Sequence, residues 1–413
     1  MNYGFFENTL GTMERIFSLL KLPAAKIERL SRPDKILDFK LAVPMDDGST
    51  KEFEAWRVQY NNALGPYKGG IRFHSDSSLD EVKALAALMT WKTSLMSLPY
   101  GGGKGAIKVD PRTLSQGELE RLSRSYVQAI WREIGAQKDV PAPDVNTNSQ
   151  IMDWMVDEYG RLTGRSEPAA FTGKSLAKGG AAGRDKATGW GGFVVLREFL
   201  KSRPDIRKTV AIQGFGNVGS NLAKFLYDSG FQIVALADSQ GALREPNGID
   251  INRVLSVKEK IGIIDRQACF SLDGQNLCQV FDSRELLTMP ADILVPAALE
   301  DQINESNAAQ IKAKVILEMA NGPVTSAADV ILEKQRIEAL PDILANGGGV
   351  AGSYFEWQQN LAGEQWPEDI YLRKLEEKMA ESFRAVKEMK EKLGLSWRLA
   401  AFAQAVSRVA DAL

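Results

Sequence analysis

The most constraining stretch of this chain runs over residues 209–238. It reads TVAIQ, then GFGNVG, then SNLAKFLYDSG, then FQIVALAD. An apolar run, a glycine-rich turn, a helix-patterned segment and a second apolar run predict strand, turn, helix and strand. Gly214, Gly216 and Gly219 form GxGxxG directly after the strand and open the helix. The first glycine permits the tight turn, the second lets backbone approach a pyrophosphate, and the third allows close helix–strand packing. The helix N-terminus itself favours an anion. Asp238 closes the second run, where an acid would bind a ribose hydroxyl. The competing readings are a glycine turn in a nucleotide-free domain and, for Asp238 in ADSQG, a plain strand-end turn. Further apolar runs, ADILVPAA and AKVILEMA, alternate with helical segments to about Leu340. This alternation predicts an α/β domain with a parallel sheet and helices on both faces.

The rest of the chain has a different texture. Apolar spacing predicts helices over Thr9–Leu20 and Ala24–Leu30, and LAVPM and FEAWRVQY read as strands separated by the turn signal DDGS. Ser78 and Glu81 predict a capping box ahead of a long helix ending near Pro99. Helices are also expected from Ser115 to Ile134, from Ser149 to Tyr159 and, after a Gly/Ala/Lys-rich connector over 172–192, in GWGGFVVLREFL. The tail is helical, with Leu372, Leu375, Met379 and Phe383 in one stripe and a last helix from Ser396 to Leu413. A length of 413 residues suits two or three domains.

Composition excludes some chemistry. With 51 basic and 53 acidic residues and a net charge of −2, neither nucleic acid nor a membrane is an expected partner. The start MNYGFFENTLGTMERIF has no basic n-region and no long apolar stretch, so a cytoplasmic location is expected. Cys269 and Cys278 lack zinc-like spacing, and a reduced pair fits that setting better than a disulfide. His74 is the only histidine. No metal site built from several histidines is available, and none is expected. His74 itself reads as a polar turn residue, which leaves acid–base work to Lys, Asp, Glu or Tyr.

Three lysines stand in glycine-rich or apolar surroundings: Lys68 in PYKGGIRF, Lys92 in ALMTWKTSLMSL and Lys104 in LPYGGGKGAIKV. Burying an unpaired ammonium is costly, so three such lysines point to a pocket for anionic groups and to one amine able to move a proton. Leu85, Met89, Lys92 and Met96 share a helix face, which aims Lys92 at an interior or cleft; snorkelling to solvent is the alternative. Lys104 lacks the following Ser or Thr of a phosphate-binding Walker loop. Read singly, Lys68 and Lys104 each fit a surface turn better than a functional site; together with Lys92 the functional reading is favoured. Asp144 lies in the stiff loop VPAPDVNTN, either as a proton relay beside Lys104 or as a helix cap or Asx-turn.

PYKGGIRFH, LMTWK, LPYGGGKG, VPAPDVNTN, ATG, GFGNVG, PAALE, ANGP and ANGGGVAGSYFEW follow one another along nearly the whole chain. In this order they resemble the glutamate dehydrogenases, of the Glu/Leu/Phe/Val dehydrogenase family, in their shorter hexameric form. The resemblance implies an α/β substrate-binding and oligomerisation domain over 1–185 and a Rossmann-like coenzyme domain over 186–345. It implies a C-terminal helical segment over 346–413 that completes the cleft and packs back on the first domain. It implies oxidation of L-glutamate to 2-oxoglutarate and ammonia by a homohexamer. Lys104 then matches the catalytic lysine and Asp144 its acidic partner. Lys92 matches the group pairing with the α-carboxylate, and Lys68 and Ser353 those holding the side-chain carboxylate. Thr188, Asn217, Asn321 and Asn346 match coenzyme contacts, alongside Gly214, Gly216, Gly219 and Asp238. Because Asp238 would repel a 2′-phosphate and no basic residue follows it, NAD is favoured, with NADP as the alternative. Ala181, Trp190, Met319 and Asp301 replace the family's common serine, arginine, glycine and asparagine. Two other activities stay open: a dehydrogenase for an apolar amino acid (Leu, Phe or Val), and a non-catalytic regulatory subunit. Lys68 and Ser353 oppose the first, and Lys104 and Asp144 the second.

Overall fold

Alternation in LDFKLAVP and TKEFEAWRVQYN pairs β1 (Lys35–Pro44) with β2 (Thr50–Asn61) as an antiparallel hairpin, turning where Gly48 takes φ +85°. In the computed structural model, which describes residues 5–269 and 278–413, three more strands extend this hairpin. They are β3 (Tyr67–Phe73), β4 (Gly102–Ile107) and β5 (Asp139–Pro143), and the sheet order is β1-β2-β4-β3-β5. β3 runs parallel to both β4 and β5. Five helices accompany the sheet: α1 (Phe5–Leu19), α2 (Ala24–Leu30), α3 (Leu79–Leu95), α4 (Gln116–Ile130) and α5 (Ser149–Thr163). Phe53, Ile71 and Ile107 of the sheet bury against Leu122 and Tyr126 of α4 and Met152 and Met155 of α5.

The glycine-rich segments around Lys68 and Lys104 are therefore inner strands, not surface turns. A Cβ on Gly102 would overlap Thr90 of α3, and one on Gly69 would overlap the Gly103 carbonyl. These glycines let helix and strands approach one another. Two helix ends also differ from expectation. Ser78 accepts from the Glu81 amide at 3.3 Å, but the Glu81 carboxylate is drawn to Arg72, so only half of the capping box forms. The helix stops at Leu95, short of Pro99, and Ser97 turns the chain with φ +54°. A reciprocal capping box forms instead at Ser115 and Glu118.

The second sheet is built on β6 (Thr209–Gln213), β7 (Gln232–Ala237), β8 (Ala242–Arg244), β9 (Gln279–Phe281), β10 (Ile293–Pro296), β11 (Val315–Leu317) and β12 (Glu338–Leu340). Its order is β12-β11-β10-β6-β7-β8-β9, with β12 through β7 parallel and β8 and β9 antiparallel at one edge. Around it lie α6 (Ala187–Leu200), α7 (Asn217–Asp228), α8 (Ile251–Ile261), α9 (Ser326–Lys334) and α10 (Asp342–Ala345). The chain ends in α11 (Gly348–Ala362), α12 (Glu368–Leu393) and α13 (Trp397–Asp411).

The chain divides into two compact units: Met1–Arg184 with Val350–Tyr371 and Phe402–Leu413, and Asp185–Gly349 with Leu372–Ala401. By this division the residues from 346 onward fall partly in each unit. Cys269 and Cys278 are disulfide-bonded with Cα atoms 5.4 Å apart, which corrects the expectation of a reduced pair: the backbone on either side of 270–277 brings the two residues within bridging reach. Among the described residues no helix is long and apolar enough to cross a membrane. Among them, too, no cluster of His, Cys, Asp and Glu could hold a metal ion.

Candidate functional site

In the first unit, the parallel pairing of β3 with β4 and β5 gathers the charged residues that the sequence singled out. Lys104 on β4 and Asp144, just after β5, form an ion pair at 2.8 Å. Arg72 at the end of β3 donates Nε to the same Asp144 oxygen at 2.9 Å and reaches Glu81 with its other end. The Asx-turn and capping alternatives for Asp144 do not hold. Its carboxylate faces Lys104 and Arg72, while Asn148 caps α5. Burial alone would raise the Asp144 pKa, but the Lys104 and Arg72 cations hold it at about 2. Burial lowers the Lys104 pKa, Asp144 opposes that, and the Arg72 charge adds to it. The group is thus an ammonium with weakened proton affinity, held against a carboxylate that stays ionised. Such a pair can give up and take back one proton without a histidine. His74, as expected, sits in a turn and accepts from the Asp76 amide at 3.2 Å.

Lys68 on β3 is 1% exposed. Its ammonium donates to the Val140 carbonyl at 3.1 Å and the Thr172 hydroxyl at 2.8 Å, both neutral. Burial first, then the charges of Arg184 and Arg57, push its pKa well below the usual lysine value, against the opposing carboxylates of Glu356 and Asp139. Neither carboxylate lies within ion-pair distance, so this is a cationic pocket lacking a counter-ion at contact. Ser353 on α11 accepts from Arg184 at 2.9 Å, and the buried Arg184 Nε has no hydrogen-bond partner. Lys92 differs from the other two lysines: it lies in the last turn of α3 and is only half-buried, neither sealed in the core nor fully solvated.

Sequence reasoning missed several residues here. Arg72, Thr172 and Arg184 were not singled out, nor were two fully buried ion pairs, Lys174–Glu356 at 2.7 Å and Arg57–Asp139. Arg57 also donates to the Gly69 carbonyl at 3.1 Å, and so braces the strand that carries Lys68. The available signal was a charge inside an apolar strand pattern, as Arg57 is in FEAWRVQY.

In the second unit, Gly214 takes φ +96°, and a Cβ on Gly219 would collide with the Gly214 carbonyl. Gly216 precedes α7 and has open space where a Cβ would point. Tight turn, close packing and open approach at a helix N-terminus suit a pyrophosphate, so the residues present fit a dinucleotide. Both Asp238 oxygens accept backbone amides, from Gln240 and Ile264, each at 2.8 Å, which fixes the carboxylate while leaving lone pairs for a ribose. Asn217 donates to the Asp185 carbonyl at 2.8 Å, Asn346 donates to Asn321 at 3.0 Å, and Thr188 lies in the first turn of α6.

The departures from the family pattern have local accounts. Met319 packs onto Gly192 and Trp190 donates to the Leu372 carbonyl at 3.0 Å. Asp301 takes φ +53°, a left-handed conformation that Asp and Asn tolerate best among non-glycine residues. Ala181 is buried, and nothing in the structure explains why it replaces a serine.

A mostly parallel sheet with this glycine turn defines a dinucleotide-binding α/β protein, and the lysine–aspartate pair adds acid–base capacity. The chain belongs to the Glutamate/Leucine/Phenylalanine/Valine dehydrogenase family. Residues 179–413 match that family and residues 33–161 match the Glu/Leu/Phe/Val dehydrogenase dimerisation domain. It is 44% identical over 414 residues to an NAD-specific glutamate dehydrogenase of Staphylococcus aureus strain COL, covering 100% of this chain and 98% of the relative. It is also 44% identical to the cryptic catabolic NAD-specific glutamate dehydrogenase GudB of Bacillus subtilis strain 168, over 98% of this chain and 94% of the relative. Among solved structures, the hetero-hexameric glutamate dehydrogenase of Thermus thermophilus, in a Leu-bound form, superposes with TM-score 0.91 at 34% identity, covering 100% of this chain and 97% of that one. The glutamate dehydrogenase of Peptoniphilus asaccharolyticus gives 0.88 at 38%, covering 99% and 98%.

Proposed function

We propose that this protein is an NAD-linked glutamate dehydrogenase, converting L-glutamate reversibly to 2-oxoglutarate and ammonia. The observation that carries the substrate is Lys68. A fully buried ammonium with only neutral hydrogen-bond partners and two nearby guanidinium groups needs an anion, and an apolar amino acid has none to offer. Arg184 and Ser353 join Lys68 as donors to the side-chain carboxylate, and Lys92 donates to the α-carboxylate. NAD, when bound, supplies the acceptor for the hydride that leaves the substrate Cα. Gly214, Gly216, Gly219, Asn217, Thr188, Asp238, Asn321 and Asn346 are its contacts. Lys104, once deprotonated, draws a proton from the water that attacks the substrate iminium carbon. Asp144, ionised at rest beside Lys104 and Arg72, takes that proton transiently and delivers it to the amino nitrogen of the carbinolamine; the C–N bond then breaks, ammonia leaves, and the hydroxyl proton returns to Lys104 as the carbonyl of 2-oxoglutarate forms.

NADH formation by the purified protein with glutamate, leucine or phenylalanine, repeated with NADP, tests this reading. Turnover is expected with glutamate and NAD. Turnover of leucine but not glutamate would overturn the substrate assignment. Lys68→Leu should lower glutamate kcat/KM relative to leucine by about 100-fold, the scale of a lost charge-assisted contact. The same reading includes assembly of six 45.4 kDa chains into a homohexamer, which light scattering would resolve. It also includes a cytoplasmic location. The Cys269–Cys278 bond stands against that location, and thiol titration of the protein extracted under alkylating conditions decides between them.

A further inference from the structure

The segment that presents Thr172 to Lys68 is not held by secondary structure. It follows α5, crosses the short helical turn Pro168–Ala170 and turns at Gly173, where φ is +80° and a Cβ would collide with Pro143. The Thr172 amide donates to the Pro141 carbonyl of β5 at 3.0 Å, and beyond it the turn is held by one side chain from α11. Glu356 accepts the Gly173 amide at 2.8 Å and the Lys174 amide at 3.4 Å, and its Oε1 also meets the Lys174 ammonium at 2.7 Å. The Lys174 ammonium donates in addition to the Phe171 carbonyl. The Glu356 carboxylate thus ties down the loop after Thr172, and the Lys174 ammonium that it holds ties down the residue before it. Both members of the pair are shut off from water.

Glu356 lies three residues after Ser353 on α11, so the two side chains share one helix face. The helix that presents Ser353 therefore also fixes Thr172, which in turn fixes Lys68. Resting on the glutamate reading above, we infer that Glu356, paired with Lys174, is a positioning residue that sets selectivity for a side-chain carboxylate by locking Thr172 and Lys68 in register with Ser353. It touches no substrate atom. It acts on the orientation of the Lys68 ammonium, whose hydrogen-bonding directions are set by Thr172 and Val140.

The geometry explains why an ion pair stands here rather than an apolar contact. Two apolar side chains could fill the same space. They could not accept the Gly173 and Lys174 amides, and the turn after Thr172 would lose that anchor.

The test compares L-glutamate with L-norvaline, which has a similar chain but no side-chain carboxylate. Both are assayed with the full-length enzyme and NAD, at enzyme concentrations high enough to measure the poorer substrate. The double variant Glu356→Gln, Lys174→Met removes both charges together, so no lone buried ion is left to unfold the protein. The expected result is a fall of about tenfold or more in the glutamate-to-norvaline ratio of kcat/KM, seen mainly in glutamate KM, with the norvaline constants unchanged. Glu356→Asp, which keeps the ion pair but retracts the oxygens from the amides, should lower the same ratio by a smaller factor, and it reads the proposal even where the double variant does not fold. A ratio equal to wild type, or equal losses on both substrates, would overturn the inference. Absence of glutamate turnover in the wild-type enzyme would instead strike the underlying function, and that measurement comes first.

Discussion

The two units offer an anion opposite kinds of surroundings. In the first, four cations lie in the dry interior: Arg57 at 0%, Lys68 at 1%, Lys104 at 5% and Lys174 at 6% exposure. In the second, no lysine or arginine falls among the buried side chains of the described residues. Its proposed anion site is instead a glycine turn and a helix N-terminus, made of backbone. Buried side-chain charges are costly but can discriminate one small anion from another. Backbone amides are already present and bind a pyrophosphate that every dinucleotide carries. A substrate site that must choose therefore draws on side chains, and a coenzyme site that must merely hold can be built from geometry.

If that contrast is right, losses in the first unit should fall on turnover and selectivity, and losses in the second on coenzyme affinity. The largest effect is expected from Lys104→Ala. Turnover should drop by about 1000-fold, the middle of the range for a general acid–base group, with NAD binding by fluorescence titration unchanged. A wild-type-like kcat would end the proposed proton-transfer role. The glycines come next and should separate from one another. Gly216→Ala meets open space and should leave thermal stability alone while raising the NAD KM about tenfold or more. Gly219→Ala meets the Gly214 carbonyl and should lower both coenzyme affinity and stability, the latter by about 1–3 kcal/mol. Equal stability losses in the two variants would contradict the division of labour within the motif.

The smallest effect tests charge burial in the second unit. Burial, together with Asp342 and Asp329, raises the Glu318 pKa to about 7 against the pull of Arg398. The folded state then binds a proton that the unfolded state has released, so its stability falls as pH rises from the ordinary Glu range through 7. Glu318→Gln should remove that slope. Its melting temperature should match wild type near pH 5 and exceed it by about 3 °C at pH 8. Parallel melting curves for the two proteins across this range would rule the charge out as the cause.

Much of the second unit was legible because its signals are local. The GxGxxG turn, the apolar run before it and the helix after it lie within a few residues, and what Gly219 must clear, the Gly214 carbonyl, is a neighbour in sequence. The site in the first unit was legible only as an anomaly. Lys68 and Lys104 stood out as amines in apolar surroundings, yet the same glycines made them look like turns. They became inner strands because Gly102 lies under Thr90 and Gly69 against Gly103, contacts between distant stretches. Lys92, flagged on the same grounds, ended half-buried. Glu81 shows the reverse error: a local capping rule named its partner, and Arg72 from another element took the carboxylate instead.

The sequence by itself determined the α/β class, the glycine turn and the lack of any site built from several histidines, because periodicity, backbone permissiveness and residue counts need no partner to be read. It also marked which lysines were out of place. Only the tertiary structure decided what each charge meets. Lys104 met Asp144 and Arg72; Lys68 met Thr172, held by a carboxylate from a helix 184 residues further on, counting from Thr172 at 172 to Glu356 at 356. Electrostatic energy in a dry interior depends on separations of a few ångströms between residues far apart in the chain, and no local pattern encodes those separations.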